Sequence, residues 1–468
     1  REEAWKTMAV EYDLIVRGGG PAGYLGAERA AKAGLKTALF EEKSLGGVCL
    51  NEGCIPSKAL LNSAKLYEHA REGAKYGVLC GEVRLDQKAV VERRGRVVRT
   101  LVSGVAAKMR GAGVKVFSAR AKIAGRVDGG FSVEAGEEVH TAARLLIATG
   151  SSAVVPPIPG VRENLGGFVA TNREILTLTE VPDRLAVIGG GVIGLEMVAY
   201  YAAAGAKVTV VEMLDHIAGA TDRELSGMLK RELEKKGVKF LLSHKCLSVE
   251  PGKVAAEAPD GSRVEIPADK VLLSIGRRAN VKDIGLEALG VETNRFGIAT
   301  DAQCRTNVEN VYAAGDVNGH HMLAHTAYRE AEVAVNAMLG RRDRMRYRAN
   351  PSVIYTLPEI ASVGLTEEEA QAEGVEYEVK KLSMRYAGRF VAENEGSDGL
   401  CKILVDKKHR NVLGVHLLGS YASEIIWGAA EMIETELRVR DVKELIFPHP
   451  TVSEILREVI WEFDDAAK

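Results

Sequence analysis

Gly46-Gly47-Val48-Cys49-Leu50-Asn51-Glu52-Gly53-Cys54-Ile55-Pro56-Ser57-Lys58 holds two cysteines separated by a tetrapeptide that ends in glycine. The run Lys58-Ala59-Leu60-Leu61 is helix-forming, and Pro56 falls near its start, where first-turn amides have no intrahelical acceptor and proline is tolerated. In an ideal helix, residues five apart have α-carbons about 8 Å apart, beyond the roughly 7 Å limit for a disulfide. A bond between Cys49 and Cys54 therefore requires Cys49 to lie outside the helix, or the first turn to be distorted, which Gly53 permits. A thiol near the positive end of a helix also ionises more easily, as thiol exchange requires. Standing alone, the pair reads equally well as two buried apolar side chains. Zinc is not indicated, because the spacing is not C-x2-C and no second ligand pair follows.

The flanking sequence changes that balance. Upstream, Tyr12-Asp13-Leu14-Ile15-Val16 reads as a strand running into Gly18-Gly19-Gly20-Pro21-Ala22-Gly23, a G-x-G-x-x-G, and an Ala-rich helix follows to Ala33. Leu35 to Phe40 reads as a second strand, ending at Glu41. Glycines in this register let the backbone approach a pyrophosphate at a helix N-terminus, and the acid accepts from a ribose hydroxyl. Arg17 is unusual at the end of a central strand; it faces a ligand crevice or solvent, and if buried it requires an anion.

The same unit recurs downstream. Leu185-Ala186-Val187-Ile188 precedes Gly189-Gly190-Gly191-Val192-Ile193-Gly194, a helix runs to about Ala204, and the strand Lys207 to Val211 ends at Glu212. An acid at that position favours NAD over NADP, whose 2'-phosphate needs a basic partner. Two strands open onto glycine, Leu145-Leu146-Ile147-Ala148-Thr149-Gly150 and Val271-Leu272-Leu273-Ser274-Ile275-Gly276. A third, Val311-Tyr312-Ala313-Ala314-Gly315-Asp316, ends in an acid that either binds a flavin ribityl hydroxyl or caps the helix starting near Met322 to His325.

The remaining stretches read as packing. Asp86 to Lys108 is an amphipathic helix, short strands fill Val114 to Val139, and the Pro156-Pro157 and Pro159-Gly160 steps suggest a domain crossing. His320, His321 and His325 lack a carboxylate or cysteine pattern around them, so no metal is expected. From about residue 350, short strands alternate with helices up to Phe447-Pro448-His449-Pro450-Thr451-Val452-Ser453-Glu454. Thr451 and Glu454 fit a capping box. His449 stands just before it on a proline-flanked turn, and imidazole suits proton exchange with a thiol near neutrality when a carboxylate fixes its tautomer. Glu454 can serve both the helix and the ring only if one side chain reaches both.

Composition sets the outer limits. The chain has 468 residues, 46% hydrophobic, enough for two or three cores. A net charge of -2 gives no reason to expect nucleic acid or a lipid surface as a partner. No apolar run reaches the length of a membrane span. Six cysteines, four of them isolated, fit a reducing compartment. Residues 1 to 7 lack the apolar core of a signal peptide, and Met8 is a candidate natural start.

With these motifs in place, the chain resembles the pyridine nucleotide-disulfide oxidoreductases, and within them the dihydrolipoyl dehydrogenases, from about residue 10 to the end. The most specific element is Gly46 to Lys58, which matches G-G-x-C-x-N-x-G-C-I-P-S-K. The resemblance implies an α/β fold with an α+β C-terminal domain: two Rossmann-like domains of the glutathione reductase type and an interface domain. The expected division is 8–150 for the first part of the FAD domain, 151–280 for the NAD domain, 281–350 for the remainder of the FAD domain and 351–468 for dimerisation. It implies non-covalent FAD, one per subunit, held by Gly18, Gly20, Pro21, Ala22, Gly23, Glu41 and Asp316, with Gly47, Lys58, Thr149, Gly150, Gly276, Met322, Leu323 and Ala324 as further cofactor-binding residues. NAD would be held by Gly189, Gly191, Val192, Ile193, Gly194 and Glu212. By the same resemblance Cys54 is the thiol next to the flavin, Cys49 exchanges with substrate, Lys58 pairs with Glu196, and His449 with Glu454 forms the acid-base pair.

The implied reaction is oxidation of dihydrolipoamide on a lipoylated protein by NAD+, in a homodimer. The carrier would be the acyltransferase of a 2-oxoacid dehydrogenase complex or the glycine-cleavage carrier. The implied location is the cytoplasm of a bacterium, or the mitochondrial matrix for a processed eukaryotic chain. A glutathione-type disulfide reductase is the nearest alternative, and a redox-sensing flavoprotein a more distant one. The chain departs from the pattern at Arg17, at Phe447 and Pro448, and over Met384 to Phe390.

Overall fold

Residues 9–465 are described in this computed structural model; Met8 and the segment before it lie outside them. The chain divides into two units, the first made of residues 1–59, 92–154 and 276–346 and the second of 60–91, 155–275 and 347–468.

In the first unit a parallel sheet runs in the order Val311–Ala313, Leu145–Ile147, Leu14–Arg17, Thr37–Phe40, Lys115–Phe117. The inner strands are short apolar runs buried along nearly their whole length, as a parallel sheet covered on both faces requires. From Leu14–Arg17 the chain first adds strands to one side and later returns to the other. The order therefore reverses beside this strand, and the loop after it opens onto the crevice where doubly wound sheets bind ligands. An antiparallel sheet of Ala121–Val127, Gly130–Ala135 and Glu138–Ala142 completes the core with Ile123, Phe131 and Val133.

The second unit repeats the plan. Its parallel sheet runs Lys239–Leu241, Lys207–Val211, Arg184–Ile188, Lys270–Leu273, Val169–Ala170. The apolar helix Val192–Ala203 is buried nearly all round, and its two buried tyrosines each find an acceptor, Tyr200 Oη on Gln87 Oε1 (2.6 Å) and Tyr201 Oη on Ile175 O (2.6 Å). The C-terminal strands pair antiparallel in the order Ser352–Ile354, Glu359–Gly364, Val412–Gly419, Leu400–Asp406, Tyr377–Ser383. Helices Ala422–Glu434 and Glu454–Trp461 share a core with this sheet through Ile426, Ile455 and Val459. The Met384 to Phe390 departure forms a single 3-10 turn, Met384–Tyr386, and the start of the helix Gly388–Glu393, with Met384 and Phe390 in the same core.

One buried charge ties this sheet to the nucleotide-type half of the unit. Lys402, 2% exposed, places its ammonium 3.0 Å from Asp222, 2.8 Å from Glu224 and 2.9 Å from Glu367. Burial alone would lower its pKa, but the three carboxylates outweigh burial and raise it. Asp222 in turn caps the helix Arg223–Lys235 by accepting from Glu224 N and Leu225 N. Lys402→Met would leave Asp222 buried and without its cation, at a cost of about 3–5 kcal/mol. Urea titration should show that loss, and Lys402→Met with Asp222→Asn should lose clearly less; an unchanged midpoint in the single variant would mean that the cluster contributes no stability.

Candidate active site

The two cysteines sit on consecutive helices. Gly47–Glu52 forms one helical turn and a half, Gly53 leaves helical geometry at φ -147° and ψ -110°, and Cys54 opens the long helix Cys54–Glu72. This break resolves the spacing problem, since Cys49 is not part of the helix that Cys54 begins. Asn51 fixes the turn by donating from Nδ2 to Leu45 O (3.1 Å) and Gly47 O (2.9 Å), and Ser57 Oγ donates to Gly53 O (2.7 Å). The turn is seated on the first glycine loop: Gly46 N donates to Gly19 O (2.8 Å), and a Cβ on Gly47 would lie 2.6 Å from Gly20 Cα.

Both side chains are half-buried thiols. Ionisation does not follow the helix-end expectation. The hydrogen bond with Cys54 pushes the Cys49 pKa up, burial adds to this, and the charge of Lys58 opposes it. Two thiols in contact resist carrying two negative charges, and this outweighs the dipole of a single turn. The pair is thus arranged to form and break one bond between its members, with Lys58 as the nearby cation.

The helices Pro21–Lys32, after Gly20, and Val192–Ala203, after Gly191, both begin without a capping side chain. By contrast Thr171, Asp222 and Thr366 cap theirs. The uncapped ends leave amides available to an anion. In both loops the strand-end glycine has positive φ and no room for a side chain: a Cβ on Gly18 would lie 2.2 Å from Ala148 O, and one on Gly189 2.3 Å from Ser274 O. The acids match as well. Glu41 accepts from Gly19 N (2.7 Å) and Lys43 N (2.8 Å), and Glu212 from Gly190 N (2.6 Å) and Leu214 N (2.8 Å). Each carboxylate is held at the edge of a glycine cradle, so the residues present fit one dinucleotide in each unit.

Other predicted residues fall around the first cradle. Thr149 Oγ1 donates to Asn280 O (2.8 Å), and Gly150 follows at positive φ. Asp316 begins a short 3-10 turn and accepts from Ser151 Oγ, which also accepts from Arg277 Nε (2.7 Å). Ser151 and Arg277 are thus partners of the acid that the sequence reading missed; both directly follow the strand-to-glycine endings, the one signal pointing to them. Met322 and Leu323 lead into the helix Ala324–Met338. Arg17 is half-buried and donates from Nε to Ala121 O; burial lowers its pKa to about 10, with Glu42 and Glu41 opposing. The charges of Glu42 and Glu41 thus partly offset its burial. His320 Nε2 lies 3.2 Å from Thr300 Oγ1, and among the described residues no group of His, Cys, Asp and Glu side chains is arranged to hold a metal.

In the second unit Glu196 is buried and accepts from Tyr355 N (3.2 Å). His449 Nδ1 lies 2.9 Å from Glu454 Oε1, while Glu454 Oε2 accepts from Thr451 N (2.8 Å). One carboxylate therefore serves both groups. The capping box is only half formed, because Thr451 Oγ1 turns to Pro448 O (2.8 Å) and the helix Glu454–Trp461 begins at Glu454 itself. These bonds, the Thr451 amide first, lower the Glu454 pKa, so it stays ionised and fixes the ring with Nδ1–H donating. The His449 side chain is 78% exposed, leaving Nε2 open to a reacting group.

A dithiol beside one dinucleotide cradle, a second cradle in a separate sheet and an oriented imidazole define a flavin-dependent, pyridine nucleotide-linked disulfide oxidoreductase. Comparison with known proteins agrees. The profile described as pyridine nucleotide-disulphide oxidoreductase matches residues 12–331, and the dimerisation domain of that name matches 350–460. The chain is 37% identical to dihydrolipoyl dehydrogenase of Bacillus subtilis, with 98% of this chain and 99% of the relative covered. It is 39% identical to the mitochondrial dihydrolipoyl dehydrogenase of Homo sapiens, with 96% and 90% covered. The solved structure of LpdA from Mycobacterium tuberculosis matches with a TM-score of 0.87 at 26% identity over 96% of this chain and 99% of that one. The HOCl-induced flavoprotein disulfide reductase RclA from Escherichia coli gives 0.84, also at 26% identity, over 96% and 99%.

The chain belongs to the pyridine nucleotide-disulphide oxidoreductase family. It is an enzyme of that family, with FAD and NAD(H) as its cofactors.

Proposed function

We propose that the chain is a dihydrolipoyl dehydrogenase, oxidising the dihydrolipoyl group of a lipoylated protein with NAD+. The observation that carries this reading is the Cys49/Cys54 thiol pair, brought into contact by the break at Gly53. FAD, when bound, supplies a two-electron relay between the dithiol and NAD+. Gly18, Gly20, Pro21, Ala22 and Gly23 hold its pyrophosphate, Glu41 its ribose, and Thr149, Gly150, Gly276, Asp316 and Met322 to Ala324 the rest. Gly189, Gly191, Val192, Ile193, Gly194 and Glu212 hold NAD.

His449, oriented by Glu454, accepts the proton of a substrate thiol. The resulting thiolate attacks Cys49 Sγ of the oxidised pair, and Cys54 leaves as a thiolate. The second substrate thiol then attacks the mixed disulfide, closing the oxidised dithiolane, while its proton passes to the departing Cys49 sulfur, which is released as a thiol. The substrate thus loses two electrons and the Cys49–Cys54 disulfide gains them. Lys58 favours the thiolate. The exposure of His449 supports its working in a homodimer, where the ring meets the disulfide of the other subunit. The reaction then takes place wherever the carrier resides, in the cytoplasm of a bacterium or the matrix of a mitochondrion. The carrier is the acyltransferase of a 2-oxoacid dehydrogenase complex or the glycine-cleavage protein.

Steady-state comparison of dihydrolipoamide with NAD+ against oxidised glutathione with NADPH tests the assignment. Faster turnover of the second pair would make the chain a glutathione-type reductase, which shares its cysteines and histidine. Nucleotide choice follows from Glu212. Its oxygens are held in place by Gly190 N and Leu214 N, and Met213, Leu214 and Asp215 offer no cation to a 2'-phosphate. NAD+ should exceed NADP+ in kcat/KM by about 100-fold, some 2.8 kcal/mol. Similar values for the two would remove Glu212 from this role.

A further inference from the structure

The loop after Glu212 carries a charge cluster that the mechanism does not use. It leaves the strand Lys207–Val211 and returns to the second glycine loop, where Ala218 N donates to Gly190 O (2.8 Å) and Ile217 is buried. Between these points stands Asp215, one residue beyond the Leu214 amide that holds Glu212. The Arg223 guanidinium faces both of its oxygens, with Nη1 3.0 Å from Oδ1 and Nη2 3.5 Å from Oδ2. The His216 ring lies against it as well, with Nδ1 2.6 Å from Oδ1 and Nε2 3.0 Å from Gly219 O. The bonds from His216 and then Arg223 lower the Asp215 pKa to about 2, so the carboxylate is charged near neutrality.

Arg223 is the first arginine or lysine after Glu212 in the chain, and the acids on either side of it are engaged elsewhere. Asp222 caps the helix Arg223–Lys235 and meets Lys402, and Glu224 meets Lys381 and Lys402. Glu368 accepts from the Arg223 backbone amide (3.3 Å), not from its side chain. Among the described residues, Asp215 is thus the carboxylate paired with this guanidinium. An exposed ion pair of this kind adds little to stability. What it does is cancel a cation at the edge of the second cradle, for a guanidinium fork takes a phosphate as readily as a carboxylate.

We propose that Asp215 is a second determinant of nucleotide choice, holding Arg223 so that its guanidinium cannot receive the 2'-phosphate of NADP. This rests on the assignment of Glu212 to the NAD ribose. Glu212 meets a 2'-phosphate with like charge, and Asp215 denies it the compensating cation. With asparagine at 215, the fork of Arg223 loses its charged partner and turns to the phosphate.

The test measures binding of 5'-AMP and 2',5'-ADP to the FAD-loaded enzyme by calorimetry, since the two probes differ only in the 2'-phosphate. Wild-type enzyme should favour 5'-AMP. Asp215→Asn should raise the affinity for 2',5'-ADP at least about tenfold, the effect of one charge-assisted hydrogen bond. It should leave 5'-AMP binding and the thermal midpoint at wild-type values. The gain should shrink as ionic strength rises from 0.01 to 0.15 M, over which the screening length shortens from about 30 to about 8 Å. Arg223→Gln added to Asp215→Asn should return 2',5'-ADP to near its wild-type affinity, whereas Arg223→Gln alone should change little. A gain that survives the loss of Arg223 would mean that Asp215 acts only through its own repulsion and, like an absent gain, would overturn the proposal. Glu212→Gln reports separately on the ribose assignment and should weaken 5'-AMP. If 5'-AMP is unaffected, Glu212 does not hold the ribose and both readings fall; a weakened 5'-AMP with no gain in Asp215→Asn sinks this proposal alone. Neither probe turns over, so the dihydrolipoyl assignment is judged independently, by dihydrolipoamide turnover in the wild-type enzyme.

Discussion

Cys49→Ser and Cys54→Ser should each reduce dihydrolipoamide oxidation by more than about 10⁴-fold, because neither remaining thiol can form the disulfide that accepts the electrons. The two variants should differ in colour. With serine at 49, Cys54 is relieved of its thiol partner, and its thiolate beside oxidised FAD should give a long-wavelength absorbance band that titrates with pH. Cys54→Ser should lack the band. The hydrogen bond between the thiols is what pushes the Cys49 pKa up in the intact pair, and either substitution removes that coupling. A band that follows Cys49 would show that the two sulfurs have exchanged roles.

His449→Gln should keep FAD and dimerisation and lose about 10²- to 10⁴-fold in thiol-dependent turnover, the range for removing a positioned acid-base group. Glu454→Gln should lose less, because a neutral amide still offers an oxygen to Thr451 N or to the ring. NADH oxidation by a small artificial acceptor should change little in either variant, since no substrate thiol is deprotonated. Mixing a Cys49→Ser subunit with a His449→Gln subunit, each with its own tag, tests the arrangement between subunits. If the ring serves the other subunit's disulfide, the purified heterodimer has one complete site and should recover about half the wild-type activity. An inactive heterodimer would place both groups in one subunit's site.

Much of this site was legible because it is local. Each glycine loop, its helix and the acid ending the next strand fall within one short stretch, so spacing reveals them. The break at Gly53 was legible for the same reason, as the distance between Cys49 and Cys54 demanded it. Ionisation was not. The helix-end argument favoured an easily ionised thiol, and direct contact between the sulfurs reversed the direction for Cys49. Arg17 gives its Nε to Ala121 O, 104 positions away, with the charges of Glu42 and Glu41 partly offsetting its burial, and Thr451 gave up the helix cap for Pro448 O. The buried cation was hidden altogether. Lys402 reads as an ordinary charge in a strand, and its need for Asp222 follows from a contact between residues 180 positions apart.

The two glycine cradles, alike in sequence, differ in what stands over them. In the first unit the turn carrying the cysteines closes down on the loop, with Gly47 against Gly20 and Ala22 buried. In the second, a Cβ on Gly191 would meet nothing within 4 Å, and Val192 and Ile193 are 41% and 37% exposed. One cradle is roofed and the other open to the sky. On the assignment proposed above, FAD in the roofed cradle is enclosed by the turn that carries the redox pair and stays as a resident, while NAD in the open cradle is a visitor that can change places at every turnover. A single loop design, copied within one chain, thus serves both a tenant and a stream of guests.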